Sequence, residues 1–289
     1  MKFAQAMIGC PAESMVSAAR AAEAAGFDSV AISDHIVYPK NLTTKYPYSA
    51  DGRPQFESNW DFPDPWVTIG AIAAATTTLT CLTNVFVLPA RHPFHVAKAI
   101  STAAVLSGNR VALGIGAGWM REEFELVGEK FERRGARMDE MIQVMRALWT
   151  GTYVEHHGEF YDFDSVEMKP GISAPVPIWV GGDSSRALRR AVSCDGWIGV
   201  NYSLDDLEVL CGRVRGLREA SGRADQPFEI VASPQAPPTE QNLLRLTAMG
   251  VTTLLTSAWM AFGVKSPESG EHAIDLIGKY GERFIQARN

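Results

Sequence analysis

Cysteine is scarce and scattered. Cys10, Cys81, Cys194 and Cys211 form no C-x-x-C pair and share no ligand-like spacing. No disulfide framework or thiolate metal site is expected, and a reducing cytosol suits such a chain. Positive charge is also in deficit: 27 Lys and Arg against 33 Asp and Glu give a net charge of −6, which argues against nucleic acid as the main partner. The opening MKFAQAMIGCPAES lacks an apolar run of signal-peptide length. Residues 65–90 carry no charge, yet six threonines, Asn84 and prolines towards both ends fit a helix followed by a strand better than a membrane span. There is no G-x-S-x-G elbow. His92 and His95 have Pro93 between them and no Cys or acidic cluster nearby, so no metal site is expected; they and His156-His157 read as surface features.

Apolar residues are plentiful: 46% of 289 residues are hydrophobic and 21% charged, enough for a sizeable core. Strand-like runs alternate with helical patterns along the whole chain. KFAQAMI (2–8) precedes an alanine-rich helix stopped by Gly26, and SVAISDH (29–35) follows. Asp64 and Pro65 form an N-cap and first-turn pair opening a helix, LTCLTNVFVL (79–88) is a strand, and PFHVAKAISTAAVLSG (93–108) is a helix. VALGIGAG (111–118) leads into a helical region from about 120 to 150, where Met138, Met141, Ile142, Met145, Leu148 and Trp149 share one face. PIWVGG (177–182), GWIGV (196–200), FEIVASP (228–234) and TTLLTSA (252–258) are the later strands, each followed by a helix. Two segments exceed ordinary connections: 36–62, rich in Tyr and Pro, and 152–176, which reads as a hairpin-like insertion. Eight strand–helix units favour an α/β fold: one (β/α)8 TIM barrel spanning 1–289, with insertions after strand 2 and before strand 5, rather than an open doubly wound sheet.

In such a barrel the chemistry gathers at the carboxyl ends of the strands. The second strand ends in Asp34-His35, whose side chains point to opposite faces. One can face the pocket as proton donor or acceptor while the other braces a loop; equally, Asp34 can cap the following loop and His35 be an ordinary satisfied polar residue. LGIGAGW (113–119) fits the first two glycines of a dinucleotide fingerprint but has Trp119 where the third is required. Gly114 suits tight barrel packing, whereas Gly118 suits a close approach of ligand or chain. VGGDSS (180–185) runs into a helix N-terminus that suits a phosphate or is simply a capped glycine turn; Arg186, Arg189 and Arg190 read as a solvated helix face, with Arg186 near enough to the turn to help an anion. Glu122-Glu123 is set aside as a carboxylate pair, because neighbours on a helix do not face one point.

Taken together, AEAAGFDSVAISDH (22–35), the stretch 64–128, RMDEMIQVMRALW (137–149) and PIWVGGDSSRALRRAVSCDGW (177–197) make the chain resemble the luciferase-like monooxygenase superfamily, in particular its F420-dependent oxidoreductases. The resemblance implies a barrel with a flavin or deazaflavin at its mouth: Asp34 and His35 beside the ring, His35 as the catalytic group, and Asn84-Val85 at a strand-3 bulge carrying a non-prolyl cis peptide. Gly116, Ala117 and Gly118 would follow the cofactor tail, and Val180, Gly181, Gly182 and Ser184 its phosphate. Trp119 replaces the catalytic glutamate of the related glucose-6-phosphate dehydrogenases, and Ala117 the phosphate-binding arginine of bacterial luciferase. The implied cofactor is coenzyme F420, with FMN as the alternative, in a cytoplasmic homodimer acting on a small-molecule substrate. Trp60 and Trp119 are expected in the substrate pocket, and the aromatics of 36–62 either cover it or pack onto the barrel rim. A flavin-binding barrel without turnover, or a hydrolase using Asp34 with a second carboxylate, are the competing classes.

Overall fold

The computed structural model describes residues 1–49 and 51–286. Its elements in chain order are β1 (Lys2–Ala6), α1 (Met15–Ala24), β2 (Ser29–Ile32), α2 (Pro65–Ala75), β3 (Thr80–Thr83), β4 (Phe86–Val87), α3 (Pro93–Ser107) and β5 (Val111–Gly116). They continue with α4 (Arg121–Leu126), α5 (Arg134–Leu148), β6 (Tyr153–His157), β7 (Asp162–Glu167), β8 (Ile178–Gly181), α6 (Ser185–Ser193) and β9 (Gly196–Tyr202). The last are α7 (Leu204–Ala220), β10 (Glu229–Pro234), α8 (Glu240–Met249), β11 (Thr253–Thr256), α9 (Ala258–Ala261) and α10 (Gly270–Tyr280). Parallel pairing runs β1–β2–β3–β5–β8–β9–β10–β11 and returns to β1, closing an eight-stave barrel inside its helices. Among the described residues no helix is long and apolar enough to cross a membrane.

Local chemistry sets the boundaries. Asp64 accepts from the N–H groups of Trp66 (2.9 Å) and Val67 (3.0 Å), with Pro65 at the first position of α2, and Gly108 ends α3 at φ +65°. The expected helical region over 120–150 consists of two helices, α4 and α5, separated by a turn in which Arg133 adopts φ +57°. The hairpin insertion is the antiparallel pair β6–β7. The third stave is broken. Leu82 pairs with Ala112 and Phe86 with Ile115, so four steps on one strand oppose three on the other, and the extra residue falls at the cis Asn84–Val85 peptide.

The interior of the barrel is narrow and apolar. Ala4, Ala6, Ala31 and Ala112 leave room for Trp179, packed with Leu82, Ile198, Val231 and Leu255. The larger cluster lies between staves and helices and contains Ile178, Val180 and Trp197. Alternation along β8 therefore sends Val180 outward, between Trp179 and Gly181. Above the alanine floor the staves splay around an open mouth.

Candidate active site

The mouth holds a cavity of about 1020 Å³, at the upper end of the size usual for small-molecule sites. Asp34, His35, Asn84, Val85, Gly116, Ala117, Gly118, Trp119, Gly181, Gly182 and Ser184 all line it. Two expected residues do not. Val180 is fully buried on the helix side of β8, for the reason just given. Trp60 turns towards the β1–α1 connection, where a Cβ built on Gly9 would lie 3.5 Å from its ring, so it braces that loop rather than the pocket.

Asp34 and His35 diverge as strand geometry requires. The Asp34 carboxylate, 1% exposed, takes a bidentate pair from Arg91 (2.7 and 2.8 Å) and the Val87 N–H (2.8 Å). Burial raises its pKa above the usual carboxylate range, although the Arg91 guanidinium and the Val87 N–H oppose the shift. Its role in this geometry is to tie the end of β2 to the broken third stave. His35 faces the cavity, its Nδ1 3.3 Å from Oε2 of Glu123, with side chains 10% and 1% exposed. Glu123 Oε1 accepts the Ile36 N–H at 2.5 Å. A carboxylate at Nδ1 favours the proton there, which leaves Nε2 as the atom open to a ligand.

Glu123 is the residue that sequence reasoning set aside. The doublet does not converge on one point, as expected; its members serve different targets. Glu122 Oε1 accepts from the Thr43 N–H (2.7 Å), the Thr43 hydroxyl (2.6 Å) and the Thr44 N–H (3.0 Å), clamping the long loop. The usable signal lay in spacing. Met120, Glu123 and Phe124 are all buried at i, i+3, i+4, so a glutamate stands at a core-facing position of α4.

The clamped loop crosses the mouth. Phe56 and Phe62 pack 5.0 and 5.3 Å from the His35 ring, Trp119 lies edge-on at 5.9 Å, and Tyr46 meets Trp119 at 5.1 Å. Gln55 Oε1 accepts from Asn201 Nδ2 at 2.8 Å, pinning the far side of the loop at the end of β9. Both readings of the loop aromatics therefore hold in part: Phe56, Phe62, Tyr46 and Tyr48 line the cavity, while Trp60 packs outside it. Burial pushes the Tyr46 phenol up to about 12, helped by Tyr48. Burial and then the Asp183 carboxylate raise Tyr48 and Tyr202 as well. All three phenols stay protonated and available as donors at neutral pH.

Partial burial alone would raise the pKa of Glu122, but the hydrogen bonds from the Thr43 hydroxyl and the backbone outweigh it and hold it down to about 2. A carboxyl depressed from 4.5 in this way contributes its full stabilisation above about pH 4.5 and loses it as pH falls towards 2. Glu122→Gln is expected to weaken the clamp by about 1 kcal/mol, a roughly fivefold gain in loop opening at neutral pH. Protease cleavage within 36–62 reads it; unchanged cleavage between wild type and variant contradicts the clamp.

The β5 and β8 tops are shaped by Val85. A Cβ on Gly116 would lie 2.7 Å from Val85 Cγ2, and one on Gly181 3.1 Å from Val85 Cγ1, so both glycines admit the valine as a shelf between them. Gly118 is required at φ +79°, where a Cβ would also strike Phe124 and Val87 at 2.7 Å. Ser184 Oγ accepts the Ala187 N–H (3.1 Å) as the N-cap of α6, leaving earlier amides of that helix free for an anion. Arg134, Arg186 and Arg190 also line the cavity; the sequence pattern had brought only Arg186 near this turn.

The sequence profile of the luciferase-like monooxygenases matches residues 4–242. The chain belongs to this family. Among luciferase-like relatives, an uncharacterised protein of Mycobacterium tuberculosis (strain ATCC 25618 / H37Rv) is 43% identical over 237 residues, covering 82% of each chain. The F420-dependent hydroxymycolic acid dehydrogenase of the same organism is 27% identical over 247 residues, covering 82% of this chain and 64% of its own. A monooxygenase of Streptomyces bottropensis, RslO1, shares the fold over both complete chains, with a TM-score of 0.77 at 18% identity.

Proposed function

We propose that this luciferase-like barrel is an oxidoreductase that moves a hydride between coenzyme F420 and a small organic substrate at its mouth. The observation that carries the reading is the His35–Glu123 pair on one wall of a cavity whose floor is Val85 and whose cover is aromatic. The residues present fit a flat ring with an anionic tail. Val85 offers an apolar shelf, Gly116 to Gly118 and Gly181-Gly182 bring backbone close, and the start of α6 with Arg186 and Arg190 offers donors to a phosphate. Bound there, the deazaflavin supplies or accepts the hydride. The chain's own work is positional: His35 Nε2 holds or moves a proton at the substrate, Glu123 fixes the imidazole, and the aromatic cover excludes water. By the family resemblance Trp119 takes the place of a glutamate, and Glu123 brings a carboxylate to the same histidine from one helical turn further on.

F420 is favoured over FMN by the F420-dependent relative at 27% identity. Titration of the purified protein with each cofactor tests the choice. Micromolar or tighter F420 binding, with FMN markedly weaker, is expected. Micromolar FMN binding without F420 binding contradicts it and makes the chain an FMN monooxygenase instead.

A further inference from the structure

Beside the mouth lies a second cavity, about 650 Å³, between the start of α5 and the exposed face of α6. Arg133, Arg134, Arg186, Arg189 and Arg190 line it, with Asp139 as its one carboxylate. Arg134, Arg186 and Arg190 line both cavities, so the trough opens directly from the phosphate end of the mouth. Asp139 is committed to Arg190, and Arg133 to Glu159 outside the lining. Five guanidinium groups against these two carboxylates leave three positive charges over, in a chain whose net charge is −6. Arg186 and Arg189 have no carboxylate partner among the described residues. Arg134 is already fixed, its Nε donating to Gly118 O at 2.9 Å and its guanidinium lying 3.7 Å over the Phe131 ring, so part of the trough is pre-set.

Concentrating one sign of charge on adjacent turns of α6 and at the start of α5 is unfavourable without an anion to share it. A single phosphate at the start of α6 would leave Arg189, which does not line the mouth and has no carboxylate partner among the described residues, unneutralised; Arg133, paired with Glu159, stands at the far end of the trough. We propose that the trough holds a polycarboxylate extension of the ligand whose ring occupies the mouth. Under the F420 reading, on which this rests, that extension is the cofactor's oligoglutamate tail. The tail leaves the phosphate near Gly182 and Ser184, passes Arg186 and Arg190, and ends among Arg189 and Arg133. Guanidinium groups suit successive carboxylates because each presents a planar fork of donors. Solvated pairs are individually weak, each a factor of up to about five in affinity, so the tail tunes binding rather than dominating it.

The test compares F420 carrying its oligoglutamate tail with F420 lacking glutamate, titrated by fluorescence on the wild type and on Arg133→Gln/Arg189→Gln. The tailed form is expected to bind the wild type about tenfold tighter or more, an advantage that shrinks as salt is raised. In the double variant the ratio of the two affinities should fall to about three or less. A thermal midpoint of the double variant close to that of the wild type shows that it is folded; if it is not, Arg189→Gln alone repeats the comparison. Equal binding of both forms by the wild type, or an unchanged ratio in the folded variant, overturns the tail site while the cofactor reading stands. Binding of neither form removes the cofactor reading and the tail site together.

Discussion

His35→Ala is expected to lower kcat/KM by about 10² to 10⁴-fold, the usual range for losing a positioned acid–base group, with little change in thermal stability. The imidazole projects into a cavity rather than into the core, and its hydrogen-bonding partner in the structure is Glu123. Glu123→Gln sharpens the result. The amide oxygen can still accept from Ile36 N–H, but its NH2 then faces Nδ1 and favours the opposite tautomer, placing the proton on Nε2. Activity should fall with a changed pH profile, while cofactor affinity should stay close to wild type. A role confined to packing would instead move stability and leave the profile unaltered.

Asp34→Ala should act on the fold. Both carboxylate oxygens are in use, by Arg91 and the Val87 N–H, and the Arg91 guanidinium also lies 4.2 Å over the Phe86 ring. Removing the acid leaves a largely buried cation and an amide unpaired, at a cost of roughly 3–5 kcal/mol. For a chain of this size that corresponds to a fall in thermal midpoint of order 10 °C. Because Val87 follows Val85 in the same broken stave, ligand affinity should fall as well. Asp34→Leu with Arg91→Met, which removes both charges, should recover much of the stability. A thermal midpoint unaffected by Asp34→Ala contradicts this bracing role.

The eight staves were legible because each is an apolar run closed by a turn residue, and Gly26, Asp64 and Gly108 bound their helices as the sequence pattern implies. Asp34 and His35 were legible as strand neighbours facing opposite ways; the residues alone left open which one faces the pocket, and the resemblance pointed to His35 while putting both beside the ring. What stayed hidden is long-range. Tyr46 and Tyr48 reach the cavity in a loop that Glu122, 79 residues beyond Thr43 in the chain, holds at Thr43 and Thr44. Trp60 is aromatic and in the right loop, yet its ring lies beside Gly9 rather than in the cavity. Val180 was misplaced by treating a glycine motif as a unit, where the two-residue period of β8 separates it from Gly181. Glu123 needed a different question: not whether two acids converge, but why one of them occupies a buried helical position.

A crystal structure of the protein grown with F420 tests the central claim most directly. The deazaflavin ring should lie in the barrel mouth against Val85, with the His35 imidazole facing it and Glu123 at the imidazole's far side. A ring bound elsewhere, or a mouth filled by Phe56 and Trp119 with His35 turned towards the helices, would contradict the account.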